Sequence, residues 1–519
     1  LSHPDPTVKR KSGFLTPSYK TSNNLGLSIN IPYFLASSNS RDFTFNPRIY
    51  ADNDIIFQTE YREVFEKSNI IADVSFNLDE DEKNRHIFAK MGGEYDEKTS
   101  YSLQFQNASS DQYLKIHELK ESTELITSNN TMLSYLSMSR DIDQDTNLST
   151  SFKVYENLEK NNSDKYQYIF PDYNFKKNIK IDESYNGKFT FLSSGFQKNY
   201  DTNTYEAQVN NDFKFSSIDF ISKTGLVSDY SLLLKNYNTY ADNSSSYEDE
   251  NDHELFTFLL MQTELPLKKE LNNSTNYLKP KFQLRFSPTN GKDISGESFR
   301  INYDSIFSSN RIGRSDMVEE GRSLTVGAEF SKENLLNERI LGLNIGTIIK
   351  DKKNNQLPSK SKLDQTRSDL VGNLYYRLND NLNFTYNFSY DRDLDFSNYD
   401  AISTTLSANN FVTKFDYITE NHELGNSENI KNQTKVSFDE HSLIFNTTKN
   451  LIDDFTQFYN FVYEYNTDCL SASFEYNRKF FRSGRLVPEE TLNFYIRFIP
   501  FVQIWGSADE TFGYIKNRN

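Results

Sequence analysis

The sequence lacks the features that organise most soluble enzymes and helical membrane proteins. Its 519 residues contain one cysteine, one tryptophan and 12 prolines, and no long uninterrupted apolar run occurs. A transmembrane helix needs about 20 consecutive apolar residues to cross the hydrocarbon core, so the sequence excludes one. The single cysteine, Cys469, says little by itself about the redox compartment of the protein.

The N-terminus also lacks the apolar segment of a signal peptide. The chain opens with the polar residues LSHPDPTVKRK. We therefore expect this sequence to be a segment of a longer chain.

Motifs for catalysis and metal binding are missing as well. The six histidines are scattered without a pair at metal-ligand spacing, and the string HELKE around His117 lacks the second histidine of a zinc-protease helix. Neither a Gly-x-Ser-x-Gly nucleophile elbow nor a glycine-rich phosphate loop is present. The adjacent Asp252 and His253 belong to a charged loop, where solvation explains them better than catalysis. We predict a protein that is not an enzyme and that needs no metal or cofactor.

The chain has fewer basic than acidic residues, which argues against a nucleic-acid partner. The net charge is −16, and acidic residues concentrate in stretches such as NLDEDEKNR and SSSYEDENDHE. Because phosphate backbones are bound by basic surfaces, nucleic acid is not an expected partner. The acidic stretches are interpreted as solvated loops, with divalent cations bridging them to an anionic surface as the alternative.

What the chain does contain is an unusual share of aromatic side chains. Hydrophobic residues reach only 36% and the mean hydropathy is −0.72, yet 42 Phe and 33 Tyr bring the aromatic share to 15%. This combination is atypical of a soluble globular protein. Codon bias in an AT-rich genome and a membrane location both explain it, so the residue pattern has to decide.

The pattern is strict alternation of apolar and polar residues, which is typical of strands with one apolar and one wet face. Helical periodicity is nearly absent; the best candidate, KENLLNERI, is flanked by alternating segments and is interpreted as a connection. The alternating apolar positions are Leu25, Leu27, Ile29 and Ile31; Tyr101, Leu103 and Phe105; Tyr205, Ala207 and Val209; Phe282, Leu284 and Phe286; Leu324, Val326, Ala328 and Phe330; Leu382, Phe384, Tyr386, Phe388 and Tyr390; Phe461, Tyr463 and Tyr465; Leu470, Ala472, Phe474 and Tyr476; and Leu492, Phe494, Ile496 and Phe498.

This pattern predicts an all-β fold, and the connections favour a transmembrane antiparallel β-barrel. Tight turns such as YNGKFTF alternate with long polar loops such as KDKKNNQLPSKSKLDQTRSD, as in outer-membrane barrels. In a membrane every backbone polar group must pair within a closed sheet. A propeller would show a repeat of 40 to 50 residues, which is missing. At roughly 20 residues per strand and connection, the chain holds about two dozen strands.

Two prolines flank the first alternating strand. Pro17 precedes Leu25–Ile31 and Pro32 follows it directly. Proline has no amide hydrogen to donate to a ladder, so it belongs at an edge or a bulge. The strand is therefore expected to pair weakly with a neighbour.

Three separated blocks, in the right order, resemble the LptD family of lipopolysaccharide-assembly proteins. The opening KRKSGFLTPSY…GLSINIPYFLA…FNPRIY is similar to the start of that family's barrel domain. The segment SIFSSNRIGRSDMVEEGRSLTVGAEF resembles its mid-barrel pattern, and YNTDCLSASFEYNRKF followed by LNFYIRF resembles its last strands.

The resemblance implies a translocon in the outer membrane of a Gram-negative bacterium. Family members are similar in having a 26-strand barrel, an LptE-type plug lipoprotein inside it, and an N-terminal periplasmic jelly roll that receives lipopolysaccharide from an LptA-type bridge. On this resemblance, residues 1–20 are the linker from a missing jelly roll, 21–500 the barrel and 501–519 a C-terminal tail. The implied partners are lipopolysaccharide, the plug lipoprotein, the periplasmic bridge and the lipid of the outer membrane.

The resemblance also implies a lateral gate between the first and last strands. Each buried CH₂ group contributes about 0.8 kcal/mol, so acyl chains cannot be drawn through a wet lumen and the wall has to open sideways. Pro17 and Pro32 match the family's gate prolines. The strand bearing Leu25, Leu27, Ile29 and Ile31 is expected to pair with the strand bearing Leu492, Phe494, Ile496 and Phe498.

Cys469 acquires a second interpretation from the resemblance. The family carries two adjacent cysteines here, joined by disulfides to the periplasmic domain, whereas Asp468 occupies the first position in this chain. Cys469 is then expected to pair with a cysteine of the missing N-terminal region; the alternative is a lone buried side chain.

Two rival functions stay open, a large passive or TonB-coupled channel and a soluble β-repeat adhesin.

Overall fold

A computed structural model describes most of the barrel-forming part of the chain. The described residues are 11–22, 25–51, 54–78, 84–117, 119, 123–160, 162–182, 185–201, 203–247, 249–421, 426–468, 470–480 and 489–498. The predicted tail at 501–519, Cys469 and the first half of the predicted linker lie outside these ranges.

Strands make up most of the described chain. Numbered in chain order, they are β1 (Gly13–Phe14), β2 (Ser18–Ser22), β3 (Gly26–Asn30), β4 (Tyr33–Ala36), β5 (Arg41–Tyr50), β6 (Ile55–Val64), β7 (Ser68–Asn77), β8 (Arg85–Asp96), β9 (Thr99–Ala108), β10 (Thr131–Asp143), β11 (Thr146–Asn157), β12 (Tyr166–Ile179), β13 (Gly187–Tyr200), β14 (Thr204–Ser217), β15 (Phe220–Ile221), β16 (Val227–Asp242), β17 (Glu250–Glu264), β18 (Leu267–Leu271), β19 (Ser274–Ser287), β20 (Gly321–Glu333), β21 (Arg339–Lys350), β22 (Leu370–Asn379), β23 (Leu382–Tyr390), β24 (Ser397–Ala408), β25 (Phe411–Glu420), β26 (Ser427–Phe438), β27 (His441–Asn450), β28 (Phe455–Asn466), β29 (Leu470–Lys479) and β30 (Glu489–Phe498).

All strands belong to one antiparallel sheet that closes on itself. Each strand pairs with the next along the chain, and β30 pairs with β2 to complete the ring. Four segments are not separate wall positions: β1 and β4 continue β2 and β3 beyond a break, and the short β15 and β18 extend the rows of their neighbours. The wall therefore has 26 strands, which confirms the predicted all-β barrel and its strand count.

The two faces of the wall differ as the alternation predicts. On β19, Phe282, Leu284 and Phe286 are exposed on the outer face. Between them, Gln283 and Arg285 point inward and are buried under an internal segment. An apolar outer surface with a polar inner face is the arrangement of a barrel whose solvent outside is lipid.

The connections fall into two classes at opposite ends of the barrel. One end has tight turns, such as 409–410 and 439–440, where Asn409 and Asp439 adopt positive φ. The other end carries the long connections, of which 109–130, 288–320 and 351–369 are the longest. The segment KENLLNERI is the tight turn between β20 and β21, as predicted.

Long connections fold back against the inner face of the wall and form two internal caps. The first, residues 109–130 with helix α1 (Asp111–Ile116), buries Tyr113 and Leu114 against the wall. We call it the seam-side cap. The second, residues 288–320 with helix α2 (Tyr303–Ile306), buries Ile301 and Ile306 together with the connection 351–369. We call it the far cap.

Asn162–Lys165 and Lys360–Lys362 are short 3₁₀ turns. Among the described residues, no helix has the length and apolar character needed to span a bilayer.

Candidate functional site

Among the described residues, the junction between the first and last wall strands has the fewest register pairs of any junction in the ring. We call this junction, β2 against β30, the seam. It consists of five register pairs, from Ser18 opposite Tyr495 to Ser22 opposite Thr491. The opposite edge of β30 forms ten register pairs with β29. The last strand is thus held about twice as extensively on one side as on the other.

Prolines interrupt the first two wall strands side by side. Pro17 separates β1 from β2 and Pro32 separates β3 from β4. The chain stays together across the gap through a 2.8 Å hydrogen bond from the Leu15 amide to the Pro32 carbonyl, and a 3.3 Å bond joins the Ile31 amide to the carbonyl of Pro47 on β5. The ladder to β30 ends at Ser18 within the described residues, directly beside Pro17, which has no amide hydrogen to donate.

The positions of Leu27 and Ile29 correct the expected pairing between the first and last strands. Leu27 and Ile29 lie on β3, which pairs with β2 and β5 and not with the last strand. The expected direct pairing of this strand with β30 is therefore wrong. The first strand of the ring is Ser18–Ser22, so the wall also begins before the linker boundary expected at residue 20.

The remaining predicted residues lie at or beside the seam. Leu492 and Phe494 on β30 stand opposite Thr21 and Tyr19, and Ile496 continues the strand beyond the last pair. Ile31 is exposed in the gap before Pro32, while Leu25 packs against the seam-side cap. Phe498 pairs with Leu470 through the backbone; its side chain is outside the described set.

The seam-side cap is fastened to the wall next to the seam. Arg48 of β5 donates to the carbonyl of His117 at the end of α1, and the Tyr50 hydroxyl lies 2.9 Å from His117 Nδ1. A shallow recess between cap and wall is bordered by Lys20, Ser22, Leu25, Gly26, Ile116 and His117. The helix therefore contacts the strands of the seam through their immediate neighbours.

Further inside, a buried polar group anchors the same helix. The Ser75 hydroxyl lies 2.6 Å from the Tyr113 hydroxyl and 2.7 Å from His86 Nδ1, while His86 Nε2 contacts Asp73. Although this is an Asp–His–Ser series, the three side chains are at most 1% exposed, and the serine hydroxyl is already bonded to His86 and Tyr113. Burial raises the pKa of Tyr113 to about 12, so its hydroxyl stays protonated near neutral pH.

The far cap is held by a buried ion pair. Arg311 binds Glu319 with both guanidinium arms at 2.5 and 2.6 Å, and Lys350 adds a third contact at 3.0 Å. Burial alone would raise the pKa of Glu319, but the neighbouring Arg311 and Lys350 cations hold that pKa well below its usual value of 4.5. Glu319 is therefore ionised throughout the physiological range.

No group of three or more His, Cys, Asp or Glu side chains that could hold a metal ion converges in the described part of the chain.

Sequence reasoning missed the first strand and both caps. Tyr19 and Thr21 are the outer-face residues of β2, and two such positions give no apolar alternation. The sequence feature that could have indicated the first strand is the spacing of Pro17 and Pro32. These prolines interrupt two adjacent strands at the same height in the wall.

Comparison with known proteins finds one curated relative and several barrels of solved structure. The curated LPS-assembly protein LptD of Pseudoalteromonas translucida (strain TAC 125) is 29% identical over 111 residues, which cover 20% of this chain and 15% of that protein. Among solved structures, the siderophore receptor PirA from Pseudomonas aeruginosa aligns with 95% of this chain and 81% of its own, at 9% identity and a TM-score of 0.34. The apoprotein form of the FrpB iron transporter from Neisseria meningitidis aligns with 94% and 81%, at 7% identity and a TM-score of 0.34.

The family comparison is more extensive. The sequence model of the LptD family, described as LPS transport system D, matches residues 83–451, which is well over half of the chain. The strands of the seam lie outside the matched range. A match of this extent, on a closed 26-strand barrel with an apolar exterior, identifies the chain as an outer-membrane β-barrel that belongs to the LptD family.

Proposed function

We propose that this barrel inserts lipopolysaccharide into the outer leaflet of the outer membrane by opening sideways at the seam. Membership of a transport family supports the substrate class and a role other than catalysis. The observation that supports a gate at this position is the strand pairing of β30, which forms five register pairs with β2 and ten with β29. In outer-membrane barrels the long connections face the cell exterior, so both caps lie at the external end.

The physics of the cargo requires two environments at once. The sugar head suits the polar lumen, while the acyl chains have to remain in lipid because each CH₂ group loses about 0.8 kcal/mol in water. A lateral opening lets the head travel inside while the tails stay outside. Each ladder bond contributes about 1 kcal/mol net in water, so a seam of five register pairs that ends beside Pro17 is the junction that opens at least cost.

The partners follow from the same proposal. A lipoprotein of the LptE type would occupy the lumen at the short-turn end, and an LptA-type periplasmic bridge would deliver lipopolysaccharide through an N-terminal domain preceding these residues. The pairing of Cys469 with a cysteine of that domain stays a prediction.

Cross-linking the seam tests the gate directly. Ser18 and Tyr495 face each other across it, so the double substitution Ser18→Cys/Tyr495→Cys should form a disulfide that stops lipopolysaccharide delivery to the cell surface. Reduction should restore delivery. Surface lipopolysaccharide, measured before and after reductant in cells that depend on the variant, provides the readout.

A matched pair uses the same residue of β30. Ser473 lies opposite Tyr495 on the permanent neighbour β29, and the Ser473→Cys/Tyr495→Cys variant should transport normally when oxidised. A passive or TonB-coupled channel would be indifferent to both cross-links, and that outcome would refute the gate.

A further inference from the structure

A row of amide side chains runs along the inner face of the wall toward the seam. Gln433, Asn446, Asn460 and Asn477 stand opposite one another on four successive strands, β26 to β29. On β30 the row continues two residues lower at Asn493, which lies opposite Glu475 and, across the seam, opposite Lys20. We call these five amides, with Glu475, the amide ladder.

Hydrogen bonds between neighbouring strands orient the side-chain amides of the ladder. Asn446 Nδ2 donates to Asn460 Oδ1 at 3.0 Å, and Asn460 Nδ2 donates to Asn477 Oδ1 and Glu475 Oε1 at 2.5 and 2.7 Å. Asn493 Nδ2 donates to the other oxygen of Glu475 at 3.2 Å. The N–H groups of Asn460 and Asn493 thus point to the carboxylate, and the Oδ1 atoms of Asn446 and Asn493 are not used within the ladder.

Two of these oxygens are buried and lack a partner among the described residues. Asn446 and Asn493 are 8% and 6% exposed, and the Oδ1 atom of each accepts no hydrogen bond there. An acceptor buried without a donor costs about 1–3 kcal/mol. A ligand that brings hydroxyl donors into the lumen would remove that cost.

The opposite side of the seam repeats the arrangement. Asn46 Nδ2 on β5 donates to Gln58 Oε1 at 3.5 Å, and Gln58 Nε2 donates to Asp73 at 3.0 and 3.1 Å. The Oδ1 atoms of Asn46 and of Asn30 on β3 are also buried and accept no hydrogen bond within the described chain. Amide oxygens backed by a carboxylate therefore flank the seam on both sides.

The chemistry of these groups selects one ligand class. Amide and carboxylate oxygens accept O–H donors, and a primary amide offers both a donor and an acceptor. Sugars present many hydroxyl groups without charge. Phosphate carries no comparable set of hydroxyl donors for these acceptor oxygens.

We propose that the amide ladder is a saccharide-binding track that holds the sugar hydroxyls of the transported glycolipid at the seam. This inference rests on the proposed function, because it places the sugar head in the lumen beside the opening. The track orients the head while the acyl chains pass between β2 and β30.

Binding measurements on the full-length protein in its native complex test the track. The probes are lipopolysaccharide with its complete core oligosaccharide and the corresponding lipid A without core sugars. The variant Asn446→Ala/Asn460→Ala/Asn493→Ala should bind the sugar-bearing probe roughly 30- to 150-fold more weakly, the loss expected from two or three hydrogen bonds. Its affinity for lipid A should not change.

A matched pair on a distant part of the wall provides the control. Asn344 Nδ2 donates to Asn373 Oδ1 at 2.9 Å across β21 and β22, so Asn344→Ala/Asn373→Ala removes the same type of bond far from the seam and should leave both affinities unchanged. The single substitution Asn493→Ser keeps an acceptor oxygen, so this variant should retain most of the affinity for the sugar-bearing probe. Heat-modifiable migration in electrophoresis verifies that each variant is folded.

The outcomes separate this inference from the gate. If the triple variant loses both probes equally, or neither, the track is refuted even where the Ser18–Tyr495 cross-link still stops transport. If that cross-link has no effect on transport, the gate fails, while a loss confined to the sugar-bearing probe would still establish the track.

Discussion

At the scale of single residues, Glu319 shows how a charged group stabilises an internal segment of this barrel. Its carboxylate is 3% exposed and meets Arg311, whose side chain is fully buried, and Lys350, which is 5% exposed. A buried ion pair contributes little relative to an apolar pair, but the loss of one partner leaves uncompensated charge behind. The far cap should therefore depend strongly on this one carboxylate.

The substitution Glu319→Gln should loosen the far cap by about 3–5 kcal/mol, because Arg311 and Lys350 would stay buried without their counter-ion. Hydrogen exchange at the Ile306 amide, which bonds to the Asn302 carbonyl in α2, reports the loosening. Asp393→Asn removes the exposed pair with Arg392 and should change exchange little.

Acid should produce the same loosening in the unsubstituted protein. The folded-state pKa of Glu319 is lowered, so its contribution is fully present above the usual value of 4.5 and is lost as the pH falls below it. The amide introduced by Glu319→Gln cannot titrate, so the exchange of that variant should be flat over the same range. An equal acid response in both proteins would contradict the assignment.

At the scale of elements, the first two wall strands differ from the others because prolines divide them. Pro280 lies inside β19 opposite Ala328 without breaking its strand, whereas Pro17 and Pro32 coincide with gaps on neighbouring strands. Two adjacent interruptions remove ladder bonds at one level of the wall.

Replacing both prolines by alanine should restore donors to the ladder and slow lipopolysaccharide delivery several-fold. The donor restored at residue 17, worth about 1 kcal/mol, would stabilise the closed seam, and the donor restored at residue 32 would stiffen the strand beside it. The rate at which labelled lipopolysaccharide reaches the surface measures the effect. Pro280→Ala serves as the comparison and should not slow delivery. If Pro17→Ala/Pro32→Ala slows delivery no more than Pro280→Ala does, or not at all, the result counts against the gate.

The strands show what alternation alone can predict. Phe282, Leu284 and Phe286 sit on the outer face as expected, because lipid demands an apolar residue at every second position. The caps obey no such period: Ile294, Ile301 and Ile306 are buried by a fold of irregular loop that only three-dimensional contacts define. The amide ladder was also invisible in sequence, since its members meet only through the register of separate strands.

At the scale of the whole molecule, the two caps divide the inner surface of the barrel. The seam-side cap packs on the wall near β5 to β10, while the far cap packs on β16 to β22. The far cap also reaches β25 through Arg300, which pairs with Glu420 at 3.1 Å. Much of the external end is therefore covered from within.

Removing the far cap should widen the path through the barrel. Replacing residues 292–318 by a short glycine–serine linker should raise single-channel conductance in planar bilayers, because the internal segment no longer occupies the lumen. Shortening the exposed connection 391–396 provides the comparison and should leave conductance unchanged. Equal conductance in the two deletions would show that the far cap does not obstruct the path.

The unequal pairing of β30 has a consequence for protein association. If the seam opens as proposed, the closed sheet acquires two free edges, and a free edge invites strand addition by another chain. One of these edges is the short, proline-interrupted β2 with Lys20 in its middle, which is a poor template for a foreign strand. On the proposed gate, the interruptions that lower the cost of opening would also protect the open wall from aggregation.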